Sequence, residues 1–150
     1  MIAWPQRSIV LALALAVLAG ACSDSVSEEA SEAVLARCEP VSAETLSLIE
    51  TGLTIDNGAL SNGAAVKSDF GPTLWVVGAQ VNGDGFEGDG YIGIWAMVDG
   101  IAVDEIREIA AADDFTRGIS TWGEDLWVEV SSLMDGVSAA GACVMAQQQS

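Results

Sequence analysis

Two β-rich runs on either side of a glycine-rich loop constrain the fold of this chain more than any other feature. Residues 73–81 and 91–98 are rich in Val, Ile and Trp, and residues 82–90 between them combine Gly with Asn, Asp, Phe and Glu. Strand-forming runs that flank such a loop are typical of an antiparallel hairpin. The middle of the chain is therefore predicted to form two neighbouring strands of a sheet.

Both faces of this predicted hairpin are apolar. With the loop centred near Phe86, Val77 faces Trp95 and Trp75 faces Met97, and successive side chains alternate between the two faces. One face then carries Trp75, Val77, Val81, Tyr91, Trp95 and Met97, and the other carries Leu74, Val76, Ile92, Ile94 and Val98. This pattern predicts central strands that are covered on two sides; the alternative is that one face is a binding surface.

A helix is predicted ahead of the hairpin. Ser42 is suited to cap its N-terminus, Glu44 suits the positive end of the helix dipole, and Gly52 is placed to end it. The apolar face of this helix is formed by Leu46, Ile49 and Leu53.

The segments around the helix and the hairpin contain further turn signals. Residues 57–58 and 62–63 are both Asn-Gly, a strong hairpin-turn dipeptide, but the stretch between them is too short for an independent strand. One of the two is therefore a turn of another kind. The Asp-Gly pair at 99–100 favours a two-residue turn into a fourth strand that begins at residues 101–103.

Helical spacing reappears in the second half of the chain. Ile106, Ile109 and Ala110, followed by Phe115, fit a helical stripe, whereas residues 126–133 fit a helix or a strand equally well. The sequence predicts an α+β domain: an antiparallel sheet of three or four strands, an N-terminal helix and C-terminal helical segments. We expect one acidic domain at residues 38–146 and a polar tail at residues 147–150.

The N-terminus has the pattern of an export signal. Arg7 supplies a positive charge, and residues 9–18 contain only Ile, Val, Leu and Ala, too few for the ~20 apolar residues that span a bilayer. Small residues then precede Cys22. We expect residues 1–21 to be a signal peptide and residues 22–37, rich in Ser, Glu and Ala, to form a flexible tether.

The stretch Leu18-Ala19-Gly20-Ala21-Cys22 resembles the lipobox of bacterial lipoproteins, although Ala19 stands where the commonest form has Leu. The resemblance implies a diacylglyceryl group and an acyl chain such as palmitate on Cys22, enough for stable membrane retention. We therefore expect a lipid-anchored protein on the extracytoplasmic side of the cell membrane or outer envelope. The alternative is a soluble secreted protein without lipid, because Ala19 and Ala21 also satisfy the ordinary cleavage rule.

The chain has three cysteines, an odd number. Cys38 and Cys143 are free to form a disulfide if lipid occupies Cys22, and the oxidising space outside the cytoplasm favours that bond. In the alternative without lipid, Cys22 is a free thiol or pairs with Cys38.

The amino-acid composition excludes several kinds of binding and catalysis. It contains 22 acidic and five basic residues, giving a net charge of −17, so it repels nucleic acid and attracts cations or basic partners. It contains no His, which excludes Ser-His-Asp and Cys-His catalysis and His-ligated zinc. Residues 82–90 fail the EF-hand spacing, because Phe86 stands where an oxygen ligand is required. No metal or other cofactor is predicted.

In length, lipobox, outer cysteines and Trp-containing hairpin, the chain resembles small envelope lipoproteins of actinobacteria-like bacteria. That resemblance implies no activity.

We expect a binding or interaction module, not an enzyme, with a protein or cell-wall partner. Trp122 and Trp127 are the predicted contact surface, because aromatic residues outside a core often dominate interfaces; the alternative places both in the core. The alternative function is a carboxylate-dependent cell-wall hydrolase.

Overall fold

Five strands form one antiparallel sheet in the part of the chain that the structure describes. The computed structural model describes residues 32–88, 90–123, 126, 131 and 134–150. The strands are β1 (Glu39–Pro40), β2 (Ala59–Lys67), β3 (Leu74–Asn82), β4 (Ile92–Val98) and β5 (Glu108–Ala111). Each strand pairs with the next in chain order. The sheet and its helices confirm the α+β class, with five strands where three or four were predicted.

Helices cover both faces of this sheet. They are α1 (Ala43–Glu50), α2 (Asp114–Gly118) and α3 (Val137–Gln148). Helix α1 begins as predicted, since the Thr45 N–H donates a hydrogen bond to Ser42 Oγ at 3.1 Å. Helix α2 has the same kind of cap, with Asp113 Oδ1 accepting from the Thr116 N–H at 2.7 Å.

The pairing of β3 with β4 confirms the predicted hairpin register. Val77 pairs with Trp95, and Trp75 pairs with Met97. One face of the hairpin packs in a core cluster with α1 that contains Leu46, Ile49, Val77, Val81, Trp95 and Met97. The other face packs in a cluster with α3 that contains Leu74, Val76, Ile94, Val98, Ala140 and Val144. The central strands are therefore covered on both sides, as expected from their two apolar faces.

Helix α3 lies unusually close to the middle of β3. A Cβ atom on Gly78 would stand 2.9 Å from Ala140 O and 3.1 Å from Val144 Cγ2. Glycine in a strand interior often marks such a close approach of another backbone. The side chain that is missing at Gly78 lets the helix backbone rest directly on the sheet.

The helix predicted from Ile106, Ile109 and Ala110 is wrong. Residues 108–111 form strand β5, in which Ile109 pairs with Met97 and Ala110 pairs with Ala96. Backbone pairing with the edge of β4 outweighs the spacing of a few apolar residues, because four residues are too few for periodicity to separate a helix from a strand. Phe115 does lie in a helix, the short α2.

The fourth strand predicted at residues 101–103 is also wrong. Asp99 adopts a positive φ of 77°, as a turn residue should, but residues 101–105 form bends and turns and not a strand. The loop is closed by the Arg107 N–H, which donates to Val98 O at 3.2 Å, and by an ion pair of 2.8 Å between Arg107 Nε and Asp99 Oδ2. A long closed loop therefore replaces the predicted two-residue turn.

The two Asn-Gly signals have different structures. Asn57 has φ 55° and lies in the turn before β2, whereas Asn62 has φ 51° and lies inside β2. The register of β2 against β3 shifts between Ser61 and Ala64, so Asn62-Gly63 forms a bulge in the strand. This is the turn of another kind that the sequence required.

The outer segments complete the domain. Residues 32–35 are helical, and Val34 packs against the core cluster beneath α3, within the segment for which a tether is predicted. Residues 137–146, the small-residue segment that carries Cys143, lie within α3. Most of residues 126–133 lie outside the described residues, and their structure stays a prediction.

Candidate functional site

A disulfide joins the chain just before β1 to helix α3. The Cα atoms of Cys38 and Cys143 lie 5.8 Å apart, and the bonded residues are 105 positions apart in sequence. The predicted pairing is confirmed. Cys22, the third cysteine, lies outside the described residues, so its modification with lipid stays a prediction.

An ion pair joins Arg37, the residue before Cys38, to Asp135, two residues before α3 begins. Arg37 Nη2 lies 2.7 Å from Asp135 Oδ2, and the same nitrogen donates to Lys67 O at 3.0 Å. The Asp69 N–H donates to the Asp135 carboxylate at 2.9 Å. The hydrogen bonds from Arg37 and from the Asp69 backbone hold the pKa of Asp135 below its ordinary value of 3.8. Asp135 is therefore an anion at neutral pH and serves as an acceptor, not as a proton donor.

A depression of about 500 Å³ lies beside this ion pair. Its charged lining residues are two cations and two carboxylates: Arg37, Lys67, Glu39 and Asp69. The ammonium of Lys67 stands 5.7 Å from the ring centroid of Trp75, a distance typical of a cation–π contact. The charges that line the depression are therefore of both signs.

The two ends of the sheet carry different loops. At the first, which we call the Cys38 end, the Ser68 N–H donates to Leu74 O and the Asp99 N–H donates to Thr73 O, both between 2.8 and 2.9 Å. Arg37 and the loop at residues 99–107 also lie at this end. The loop between β3 and β4 lies at the opposite end, which we call the Phe86 end. A nine-residue strand such as β3 separates the two ends by roughly 26 Å at about 3.3 Å per residue.

Three aromatic rings gather at the Phe86 end. This aromatic trio consists of Phe86, Tyr91 and Phe115. The ring centroids of Phe86 and Tyr91 lie 5.1 Å apart at 79°, and those of Tyr91 and Phe115 lie 6.3 Å apart at 22°. Phe86 and Phe115 are half-buried and pack against the core cluster beneath α1. Tyr91 is 40% exposed. The trio thus extends the core to the surface, where the Tyr91 ring meets solvent.

Exposed carboxylates are close neighbours of the aromatic trio in sequence. Asp84 and Glu87 lie on the loop that carries Phe86, and Asp114 precedes Phe115; all three are exposed. Asn57 Nδ2 donates to the Asp84 carboxylate at 3.3 Å, and the Gly85 N–H donates to Glu87 Oε1 at 3.3 Å. These bonds hold the acidic loop in place beside the rings.

Trp122, one of the two predicted contact residues, is half-buried and packs at the margin of the cluster beneath α1. Its indole N–H donates to Ile49 O at 2.9 Å. The structure therefore gives Trp122 a packing role, and its part in binding stays a prediction. Trp127, the other predicted contact residue, lies outside the described residues. Trp122 is not one of the three rings of the aromatic trio.

Sequence analysis missed the aromatic trio. It assigned Tyr91 to an apolar face of the hairpin and used Phe86 only to centre the loop. The nearest signal in the sequence was the presence of an aromatic residue in a loop otherwise made of Gly, Asn, Asp and Glu. A large apolar side chain in such a loop needs a packing partner, which Tyr91 and Phe115 supply.

Within the described ranges, no group of three or more Cys, Asp or Glu side chains is arranged to hold a metal ion. None of the helices among these residues is long and apolar enough to cross a membrane.

No family model, no curated protein and no solved structure matches the chain.

Proposed function

We propose that this chain is a non-enzymatic binding module, held at the extracytoplasmic surface of the cell envelope by lipid on Cys22. The observation that supports this most is the arrangement of the two ends of the sheet. The segment that would lead to the anchor joins the domain at the Cys38 end, and the exposed ring of Tyr91 lies at the Phe86 end. A tethered domain of this shape can direct a contact surface away from its anchor.

The domain is also built to keep these two ends apart. Both faces of the central hairpin are covered, and the disulfide fixes the entering chain to α3. Core-packed strands have little freedom to bend, so the aromatic trio is held at a fixed position relative to Cys38.

The chemistry of the site favours binding over turnover. The chain has no His, and Cys38 and Cys143 are consumed in the disulfide. A carboxylate-dependent hydrolase needs one acid whose pKa is raised so that it can donate a proton. The Asp135 carboxyl beside the depression has its pKa lowered instead, so it does not support the hydrolase alternative.

Site-specific photo-crosslinking in the native host tests this function. A photoreactive amino acid is placed at Tyr91 and, as a matched control, at Val103, which is 41% exposed and lies on the loop at the Cys38 end. We expect a discrete crosslinked product from position 91 and none from position 103. A third chain with the probe at Trp122 tests the surface predicted from the sequence.

Two results would argue against a binding module. One is the absence of any product at all three positions in cells that retain the anchored protein. The other is equal, diffuse crosslinking at positions 91 and 103, which indicates collisions and not a defined surface.

A further inference from the structure

We propose that the aromatic trio of Phe86, Tyr91 and Phe115 is a docking surface for a protein segment rich in Arg and Lys. The inference rests on the proposed binding function and names the chemistry of its partner. It is carried by two independent observations: Tyr91 is 40% exposed, and exposed carboxylates lie on the same loop as Phe86.

The geometry of the rings decides how a partner can approach. Phe86 meets Tyr91 edge to face, and Tyr91 lies nearly parallel to Phe115, so the rings contact one another and leave no slot between them. A ligand would therefore contact the exposed part of Tyr91, which is 40% exposed. A guanidinium group suits this surface, because it is planar, weakly hydrated and stacks on aromatic faces.

The charges around the rings favour a cationic partner. The Asp84 and Glu87 side chains are exposed on the loop beside Phe86. The basic residue of this region, Arg117, forms an ion pair with Asp114 at 2.9 Å, so its charge is balanced locally. The whole chain carries a net charge of −17. This field steers basic segments toward the protein and repels nucleic acid and anionic lipid.

A protein segment fits these features better than a neutral glycan. Aromatic rings suit the apolar face of a sugar, and carboxylates can accept hydrogen bonds from its hydroxyls, but a neutral glycan supplies no positive charge to balance theirs. An Arg- and Lys-rich segment uses both, with one guanidinium on Tyr91 and further cations near Asp84 and Glu87.

Peptide binding to the full chain, purified in a non-ionic detergent, tests the inference. The probes are fluorescein-labelled octa-arginine and octa-lysine, and binding is followed by fluorescence anisotropy. We expect octa-arginine to bind the more tightly. Tyr91→Ala should weaken octa-arginine binding by about two- to five-fold, as for an exposed cation–π contact, and remove the preference over octa-lysine. Tyr91→Phe should keep both the affinity for octa-arginine and the preference over octa-lysine.

Matched variants separate this surface from general attraction to an acidic protein. Val103→Ala removes a side chain of similar exposure at the Cys38 end and should leave the arginine preference unchanged. Glu87→Gln should weaken both peptides more than Asp104→Asn, which removes an exposed charge on the distant loop. Added salt should reduce all of these affinities.

Three outcomes would overturn the inference. The first is that Tyr91→Ala binds both peptides as the wild type does. The second is that Asp104→Asn weakens binding as much as Glu87→Gln. Either result would mean that the net negative charge of the protein explains the binding. If an N-acetylglucosamine oligomer binds in a way that depends on Tyr91 and not on salt, the surface belongs to a wall glycan. That last result, like a crosslink from position 91 to glycan, would leave the proposed binding function intact.

Discussion

The indole ring of Trp122 fills the space that a side chain on Gly52 would occupy. A Cβ atom on Gly52 would overlap the pyrrole part of this ring. The two residues are also linked through the end of α1, since the Gly52 N–H and the Trp122 indole N–H both donate to Ile49 O, at 3.0 and 2.9 Å. Gly52 therefore not only follows the end of α1 but also leaves the space that the Trp122 ring occupies.

Gly52→Ala should destabilise the domain by about 1–3 kcal/mol, the usual cost of adding a methyl group to a filled site. The ring of Trp122 must move away, and its hydrogen bond to Ile49 O is then lost. Urea unfolding measures the change in stability, and tryptophan fluorescence reports the movement of the ring. Gly118→Ala is the control, because no atom lies within 4 Å of the added Cβ there. Equal effects of the two substitutions would contradict this account of Gly52.

Removing the disulfide with Cys38→Ser and Cys143→Ser should lower the free energy of unfolding by about 4–5 kcal/mol. The bond closes a loop across 105 positions of sequence, and long loops lose the most chain entropy when they are closed. Chemical denaturation of the double variant measures the loss. Cys22→Ser is the matched control and should leave the midpoint unchanged. A loss of less than about 1 kcal/mol in the double variant would mean that the bond adds little to the folded state.

Acid should weaken the contact between Arg37 and Asp135. The pKa of Asp135 is lowered from 3.8 by the hydrogen bond from Arg37, so the unfolded chain binds the proton more readily than the folded one. The contribution of this carboxylate is therefore complete above pH 3.8 and is lost as the pH falls through the lower folded-state pKa. Because the Asp135 side chain is 39% exposed, we expect this contribution to the free energy of unfolding to be about 1 kcal/mol or less.

Asp135→Asn measures this contribution. Its unfolding free energy should lie below that of the wild type at neutral pH, and the two should converge as the pH falls toward about 2. Arg37→Gln removes the other partner and should show the same convergence. Parallel pH profiles for Asp135→Asn and the wild type would show that the carboxylate has no linked role in stability.

Lipid on Cys22 should be visible in the mass of the intact mature protein. We expect a mature chain that begins at Cys22 and carries a diacylglyceryl group and an N-acyl chain, together with partition into membranes. Cys22→Ala should leave the protein unprocessed or release it from the membrane. An unmodified N-terminus at Cys22 would instead support the soluble secreted alternative.

The central hairpin could be predicted because the side-chain period of a strand is strict. Once the loop is centred, that period pairs Val77 with Trp95 and sets the composition of both faces, and the structure has this pairing. Strand β5 could not be recognised, because Ile109 and Ala110 in a four-residue strand are equally compatible with a helix. Its identity depends on the free edge of β4, which is a property of the folded sheet and not of the local sequence.

In the candidate site, too, one feature could be predicted from the sequence and another could not. The disulfide could be predicted by counting cysteines and from the export signal that the sequence predicts at residues 1–21. The aromatic trio depends on a contact between Phe86 in a loop and Phe115 in a short helix far along the sequence. Nothing in the spacing of these residues indicates that contact. It arises because β5 returns the chain past β4 and leads into α2, where the Thr116 hydroxyl accepts a hydrogen bond from the Ile94 N–H at 2.7 Å.

The disulfide also determines how a pulling force would travel through the molecule. If a partner held at the Phe86 end drew against a lipid anchor, the tension would enter the domain through residues 34–38, where Val34 packs on the core and Cys38 carries the disulfide. Strand β1 has only two residues and pairs only with β2, so on its own it would peel from the sheet edge. The covalent bond to Cys143 passes part of that tension directly into α3, whose backbone rests on β3 at Gly78. The chain is thus fastened to the interior of the domain, and the shortest of the described strands carries less of the mechanical load.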